Sequence, residues 1–297
     1  MRSLVLQFVA LGLFSISIFA QGAARPFHQE WLDKDVRNLE SLLKLLPIEE
    51  KTVEAIDEGL NGKPNPDQPR VRFVDPSDDF GFGFKRFRVD SPGGYCHILA
   101  DGFVFKGRFA SLRFGLNCSS NHWSRVRPAV LGVWRKYKGL VFQESDTAMY
   151  VERDFPDVLL AYKRAVGLQL GEQDLTNVPE GLKSSYEYLI SPKENSVVGV
   201  EGCDYAGVLP FGKEAMDALI NADRVDLLKN VLRGFNPGGR LYGVMGLRTL
   251  QARGQTLDAG TLDTMEKVLD LDVQLEICEG CVHSPHLARE ILKLFKQ

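Results

Sequence analysis

Four short amphipathic segments follow one another between Phe211 and Leu271, and they constrain the fold more than any other part of the chain. Within each segment the apolar residues lie next to each other or three to four positions apart, as on one face of a helix. The four faces consist of Ala215, Met216, Leu219 and Ile220; Val225, Leu228, Val231 and Leu232; Leu241, Val244, Leu247 and Leu250; and Leu262, Met265 and Leu269. A single helix cannot bury such a face by itself, so the sequence predicts that these helices stack side by side.

The third of these segments also contains small residues where neighbouring helices would meet. Gly243 and Gly246 each disfavour a helix by about 1 kcal/mol relative to Ala, and close packing is the expected compensation. The segment 238–247, with the sequence GGRLYGVMGL, resembles the inner helix of a HEAT-type repeat. The resemblance covers the last third of the chain, at most two repeat units, and implies a surface that binds other macromolecules. An ordinary small helical subdomain is the alternative.

The N-terminus has the pattern of a secretory signal. Arg2 supplies the positive end, Leu4–Ala20 is nearly uncharged and apolar, and small residues at 21–24 offer a cleavage site. A retained membrane anchor is the alternative, but seventeen apolar residues barely span a bilayer, which needs about 20. We therefore predict a signal peptide at 1–20, no membrane span after its cleavage, and a secreted or periplasmic protein.

The next part of the chain changes from a helical to an alternating pattern. Residues 21–60 predict a helical hairpin and 61–69 a turn-rich linker, followed by a β-rich region at 70–153. In that region apolar and polar residues alternate, Asp101-Gly102 is typical of a two-residue hairpin turn, and Ser124–Lys138 predicts a packed helix. This region therefore predicts an antiparallel sheet with one helix across a face.

The remaining segments return to helical spacing. Residues 154–209 predict a helical connection and 210–297 the HEAT-like region, with a last helix at Pro285–Lys296. The predicted fold class is α+β, with an N-terminal helical hairpin, an antiparallel β-rich middle with one packed helix, and an all-α, HEAT-like C-terminal part.

The β-rich region is basic, although the chain as a whole is not. Residues 70–140 carry 13 Lys and Arg against 5 Asp and Glu, whereas the net charge of the 297 residues is −3. Charge and exposed aromatic rings together are typical of polyanion binding. The candidate binding residues are Arg72, Lys85, Arg86, Arg88, Arg108 and Arg113. Alternatively, these cations solvate the outer face of the sheet or pair with the protein's own acidic residues.

Five cysteines allow disulfides if the protein is exported. Cys278 and Cys281 are predicted to form a small disulfide before the last helix, while a zinc site with His283 and His286, a redox-active dithiol and reduced structural thiols are alternatives. Cys96 and Cys118 could bridge two strands, which would leave Cys203 unpaired.

The sequence favours a binding or scaffolding protein whose ligand is an acidic glycan, a lipid head group or a protein partner. Nucleic acid is disfavoured by export, and ATP by the segment 207–214, which has Glu where a phosphate-binding loop needs Ser or Thr. No cofactor or metal is predicted. The alternative function is an exported hydrolase with a cleft between the β-rich and helical parts, where His97 or His122 would meet a carboxylate; the sequence does not identify its catalytic residues.

Overall fold

The computed structural model describes residues 27–63, 79–174, 176–194, 197–199, 201–203, 207–280 and 282–294. The predicted signal peptide at 1–20 and positions 64–69 of the predicted linker lie outside these ranges. Within them the chain has a mixed α+β fold, as predicted. No helix of the described ranges combines the length and the apolar character that crossing a membrane requires.

The first part of the chain is a five-stranded antiparallel sheet with helices on one face. Its elements are α1 (Gln29–Leu43), α2 (Val53–Asn61), β1 (Phe84–Pro92), β2 (Cys96–Phe105), β3 (Arg108–Cys118), α3 (Ser120–Trp134), β4 (Gln143–Glu144) and β5 (Ala148–Asp154). The strand order is β1-β2-β3-β5-β4. The three helices and the inner face of the sheet share one hydrophobic core, which includes Leu39, Phe87, Leu112 and Trp134. The predicted helical hairpin therefore belongs to the same packed body as the sheet.

Two local predictions in this region are wrong. Asp101 and Gly102 lie inside β2, opposite Arg88 and Phe87 of β1, and do not form a turn. The turn between β2 and β3 lies at Lys106-Gly107, whose φ values of 49° and 82° are those that a tight hairpin turn requires. The packed helix α3 begins four residues before the predicted Ser124, so that it buries Trp123 and Val126 against the sheet.

The second part of the chain is mainly helical. Its helices are α4 (Pro156–Leu170), α5 (Glu180–Ile190), α6 (Phe211–Asn221), α7 (Val225–Leu232), α8 (Pro237–Ala252), α9 (Ala259–Leu269) and α10 (Ala288–Leu294). The four predicted amphipathic helices correspond to α6–α9. Among them α6, α7 and α9 pack against α8, which also contacts α5. An added Cβ at Gly246 would lie 2.9 Å from the side chain of Leu228, so the glycine allows α7 and α8 to approach closely.

The C-terminal part also contains strands, which the expectation of an all-α region missed. The two strands β6 (Gln274–Glu279) and β7 (Val282–Leu287) form a hairpin. The predicted helix at Pro285–Lys296 is therefore wrong in its first residues, because 285–287 belong to β7 and the helix begins at Ala288. Val198 pairs with Ile277, and Cys203 pairs with Gly280, so that part of 197–203 runs parallel to β6.

Within the described residues the structure contains two disulfides, and the pairing of Cys203 with Gly280 places Cys203 beside Cys278 for the second one. Cys96 and Cys118 are opposite each other on β2 and β3 and are bonded, which confirms the strand bridge considered from the sequence. Cys278 is bonded to Cys203, with 5.7 Å between their Cα atoms. The predicted Cys278–Cys281 disulfide and the unpaired Cys203 are therefore wrong, because Val198 and Cys203 pair with Ile277 and Gly280 and the distant sulfur is brought to Cys278. Two disulfides are compatible with a protein of an oxidising compartment.

A buried arginine connects the two parts of the fold. The Arg240 side chain on α8 is fully buried. Its guanidinium donates hydrogen bonds to the carbonyl oxygens of Gly234 (2.8 Å) and Phe80 (3.0 Å) and to the hydroxyl of Tyr162 (2.8 Å). Phe80 lies four residues before β1 and Tyr162 lies on α4, so one side chain joins α8 to both. The phenyl ring of Phe82 lies 5.1 Å from the guanidinium carbon.

Candidate functional site

The structure does not bring the predicted polyanion-binding residues together into one free basic surface. Four of them form ion pairs with the protein's own carboxylates: Lys85 with Asp79, Arg88 with Asp90, Arg108 with Asp157 and Arg113 with Asp101. The guanidinium of Arg86 lies 5.5 Å from the ring of Phe80. Arg72 lies outside the described residues.

The register of the sheet also separates these cations. Arg88, Asp101 and Arg113 are directly opposite one another on three adjacent strands of the outer face, so their charges alternate in sign. Lys85 is three residues from Arg88 on the same strand, and side chains three apart on a strand project to opposite faces. The structure thus matches the alternative in which the cations pair internally, while polyanion binding stays a prediction.

The two histidines considered for catalysis lie on the surface. His97 Nδ1 is 3.2 Å from Asp90 Oδ1, but the His97 side chain is 65% exposed and is not enclosed by a cleft. His122 contacts the hydroxyl of Ser119 at 2.6 Å, and its ring stacks on Tyr95. Neither histidine is in the deep pocket that the hydrolase alternative requires.

The cluster near the C-terminus is divided between the two strands of the hairpin. His283 contacts Glu276 at 2.6 Å, and the Ser284 hydroxyl contacts His286 at 3.0 Å. Cys281 lies outside the described residues. Across the parts of the chain that the structure describes, no three His, Cys, Asp or Glu side chains are grouped so as to hold a metal ion.

A largely apolar groove lies between α4 and the end of α5. It is an open groove of about 710 Å³. One wall is formed by α4, the other by the end of α5 with the loop 191–194, and the floor by side chains from α4, α5 and the loop before α8. The lining residues are Pro156, Leu159, Leu160, Tyr162, Lys163, Glu187, Ile190, Ser191, Pro192, Lys193, Glu194 and Phe235. Volumes of about 300–1,000 Å³ with mostly apolar walls are typical of ligand sites.

The spacing of residues along α4 explains why its wall is apolar. Val158, Tyr162, Val166 and Leu170 recur every four residues and are buried against the rest of the protein. Leu159 and Leu160 follow this stripe on the adjacent side of the helix, and Leu160 remains 47% exposed. The helix therefore packs with one apolar face and presents a second one to the groove.

The floor of the groove is held by hydrogen bonds. The hydroxyl of Tyr162 donates to the carbonyl oxygen of Phe235 (3.1 Å) and accepts from Arg240. Burial raises the pKa of Tyr162, while the neighbouring Arg240 opposes that shift, so the phenol stays protonated and can donate. The backbone N–H of Phe235 donates to the carbonyl oxygen of Ile190 at 2.9 Å, which fixes the loop against the end of α5.

Two further contacts position the second wall. An added Cβ at Gly239 would lie only 1.8 Å from the carbonyl oxygen of Leu189, so a glycine is needed where α8 meets the end of α5. After that end, Lys193 Nζ forms ion pairs with Asp154 (2.8 Å) and Glu152 (3.6 Å) of β5. The loop 191–194 is thereby attached to the sheet.

The rims of the groove carry charges of opposite sign on the two walls. Lys163 on α4 places its ammonium group 5.3 Å from the ring of Phe235. In the described structure neither Lys163 nor the carboxylates of Glu187 and Glu194 on the opposite wall form an ion pair. These three groups are the ones available to a ligand, since Lys193 is already paired.

Sequence reasoning did not identify this groove. Its residues come from 156–163, 187–194 and position 235, and no local motif connects these segments. The sequence offers one indication of the groove: Leu159 and Leu160 make the apolar surface of α4 wider than a single buried face requires.

Comparisons of the chain with protein-family models, with curated proteins and with solved structures found no match. The fold and the groove define it as an α+β protein with a largely apolar surface site. The resemblance of α6–α9 to HEAT-type repeats stays a prediction.

Proposed function

We propose that this protein is a secreted or periplasmic binding protein, and that the groove between α4 and α5 holds an apolar ligand or an apolar part of one. The observation that supports this most directly is the exposed Leu160 in the wall of a 710 Å³ groove. Ligand sites combine apolar walls with a few polar groups that fix orientation, and here Lys163, Glu187 and Glu194 are available for that role. The two disulfides support the extracytoplasmic location.

The groove supports binding better than hydrolysis. Its described lining residues include Ser191, two lysines and two glutamates, but no histidine or cysteine. Among the described residues no side chain is hydrogen-bonded to the Ser191 hydroxyl as a general base; that hydroxyl accepts a hydrogen bond from the backbone N–H of Lys193. The arrangement of nucleophile, base and orienting group that acyl transfer needs is therefore not formed by these residues.

A titration with the uncharged dye Nile red, whose fluorescence reports an apolar environment, tests the proposal. We expect saturable binding to the wild-type protein. Leu160→Glu places a carboxylate in the apolar wall and should weaken binding by about tenfold, equivalent to about 1.4 kcal/mol. The matched control is Leu168→Glu on the same helix, since Leu168 is 85% exposed and does not line the groove. Equal binding by wild type and Leu160→Glu would contradict the proposal.

A further inference from the structure

We infer that the ligand of the α4–α5 groove is an amphipathic helix of a partner protein, with basic residues on the flank that faces α5. This inference rests on the proposed function, because it names the class of ligand for the same groove. Three properties of the groove support it: its opening to solvent, the elements that form its walls, and the signs of its unpaired charges.

The opening of the groove favours an amphipathic ligand. The lining is mostly apolar with charged side chains on both walls, and the groove is open to solvent. A ligand seated there buries one face and exposes the other. A helix with apolar residues at intervals of three and four has these two faces, and helices of this kind bind to apolar grooves in other proteins.

The walls favour a helix over an extended peptide. The groove is lined by α4, α5, the loop 191–194 and Phe235, and none of its described lining residues belongs to a β-strand. An extended peptide obtains its affinity largely from main-chain hydrogen bonds to a free strand edge. The main-chain groups of α4 and α5 are used within their own helices, so an extended ligand would bury unpaired N–H and C=O groups. A helix satisfies those groups internally.

The charges specify which flank of the helix is basic. Glu187 and Glu194 are on the α5 side and have no partner cation in the described structure. The surface beyond them, a dip of about 440 Å³, is lined by both of these residues and by Glu180, Lys183 and Phe211. Excess negative charge on this wall disfavours an acidic glycan, a fatty acid or an anionic lipid head group, and it attracts Lys or Arg. The α4 wall contributes Lys163, which suits a neutral or acidic residue on the other flank.

Two synthetic peptides of equal length and apolar pattern test the inference. Both carry Leu at i, i+3, i+4 and i+7; one has Lys along the flank and the other has Glu at the same positions. Binding to the full-length protein is measured by fluorescence anisotropy at low and at physiological salt. We expect the Lys peptide to bind about threefold to tenfold more tightly, since each exposed ion pair contributes little, and the preference to decrease as salt rises.

Matched variants show whether the preference comes from the α5 wall. The double substitution Glu187→Gln and Glu194→Gln should abolish the preference for the Lys peptide. The control is Glu54→Gln with Glu58→Gln on α2, which removes the same charge from two exposed positions far from the groove. This control should retain the preference.

The outcomes separate the two proposals. If Nile red binds in the groove but neither peptide does, or if both peptides bind equally, the inferred partner class is wrong and the proposed function stands. A third peptide with two central prolines cannot form the helix, and binding of this peptide as tightly as the Lys peptide would also overturn the inference. If Nile red itself does not bind, the proposed function fails.

Discussion

The hydroxyl of Tyr162 accepts a hydrogen bond of 2.8 Å from the fully buried guanidinium of Arg240. The same guanidinium donates to main-chain carbonyl oxygens before the sheet and before α8. These acceptors are neutral, so within the described part of the chain this cation is stabilised by hydrogen bonds and the ring of Phe82.

Replacing Arg240 with Ala should lower the free energy of unfolding by about 3–5 kcal/mol, because it removes a buried hydrogen-bonded group and leaves three acceptors unpaired. Urea denaturation followed by circular dichroism measures the change. The control is Arg248→Ala on the same helix: Arg248 is 3.8 Å from Glu266 at the surface, and its loss should change stability by less than about 0.5 kcal/mol. A loss below about 1 kcal/mol for Arg240→Ala would show that the buried arginine is not the junction we describe.

Gly239→Ala should destabilise the protein by at least about 1–3 kcal/mol, because its Cβ would collide with the Leu189 carbonyl oxygen. It should also weaken Nile red binding, since the collision displaces the end of α5. The matched control is Gly132→Ala in the last turn of α3, where an added Cβ meets no atom within 4 Å. That substitution should stabilise the protein by about 0.5–1 kcal/mol, since it favours the helix. Thermal melts of the two variants are expected to shift in opposite directions.

Asp258 is expected to contribute to the pH dependence of stability. It caps α9 by accepting from the Thr261 backbone N–H at 2.9 Å, and the ammonium group of Lys229 holds the pKa of Asp258 below its usual range, with the Thr261 hydrogen bonds adding to the shift. Because the folded-state pKa is lower than the unfolded value of about 3.9, the stabilisation is complete above that value and is lost as pH falls below it.

Asp258→Ala should therefore melt at a lower temperature than wild type at pH 7, and the difference should shrink as the pH is lowered below about 4. Asp263→Ala is the control, since Asp263 is on the same helix and forms only an exposed pair with Lys267. Its melting temperature should stay close to that of wild type at both pH values. A difference for Asp258→Ala that is independent of pH would argue against the lowered pKa.

The disulfides can be tested directly on the purified protein. Five cysteines and two disulfides predict a single free thiol after denaturation without reductant. Proteolysis and mass spectrometry should recover peptides that join Cys96 to Cys118 and Cys203 to Cys278. Recovery of a peptide that joins Cys278 to Cys281 would instead support the pairing expected from the sequence alone.

Local patterns predicted the helices well and the strand connections poorly. The segment Phe211–Asn221 forms the predicted helix because its apolar residues Ala215, Met216, Leu219 and Ile220 lie on one face and are buried. Asp101-Gly102 is a favourable turn pair, yet it lies within a strand because pairing with both neighbouring strands outweighs the local preference. The prediction that the last helix begins at Pro285 was wrong for the same reason, because residues 285–287 pair with β6 and form the end of β7.

The candidate site could not be predicted because it depends on contacts between distant segments. Ile190 and Phe235 meet in the floor of the groove although 45 positions separate them. Arg240 lies in a glycine-rich stretch that signals close helix packing, but its burial becomes visible only when Phe80 and Tyr162 are placed beside it. The basic character of 70–140 was apparent from the sequence, whereas its neutralisation by Asp79, Asp101 and Asp157 required the register.

The two disulfides close over very different lengths of chain, 22 and 75 positions. In a chain made from its N-terminus, Cys96 meets its partner soon after both have emerged, whereas Cys203 has no partner until α6 through α9 have been synthesised. Early closure of Cys96–Cys118 removes both thiols that could capture Cys203 during that interval. We therefore expect the shorter bridge to favour correct formation of the longer one, so that a chain lacking either Cys96 or Cys118 accumulates mispaired Cys203 when it is oxidised.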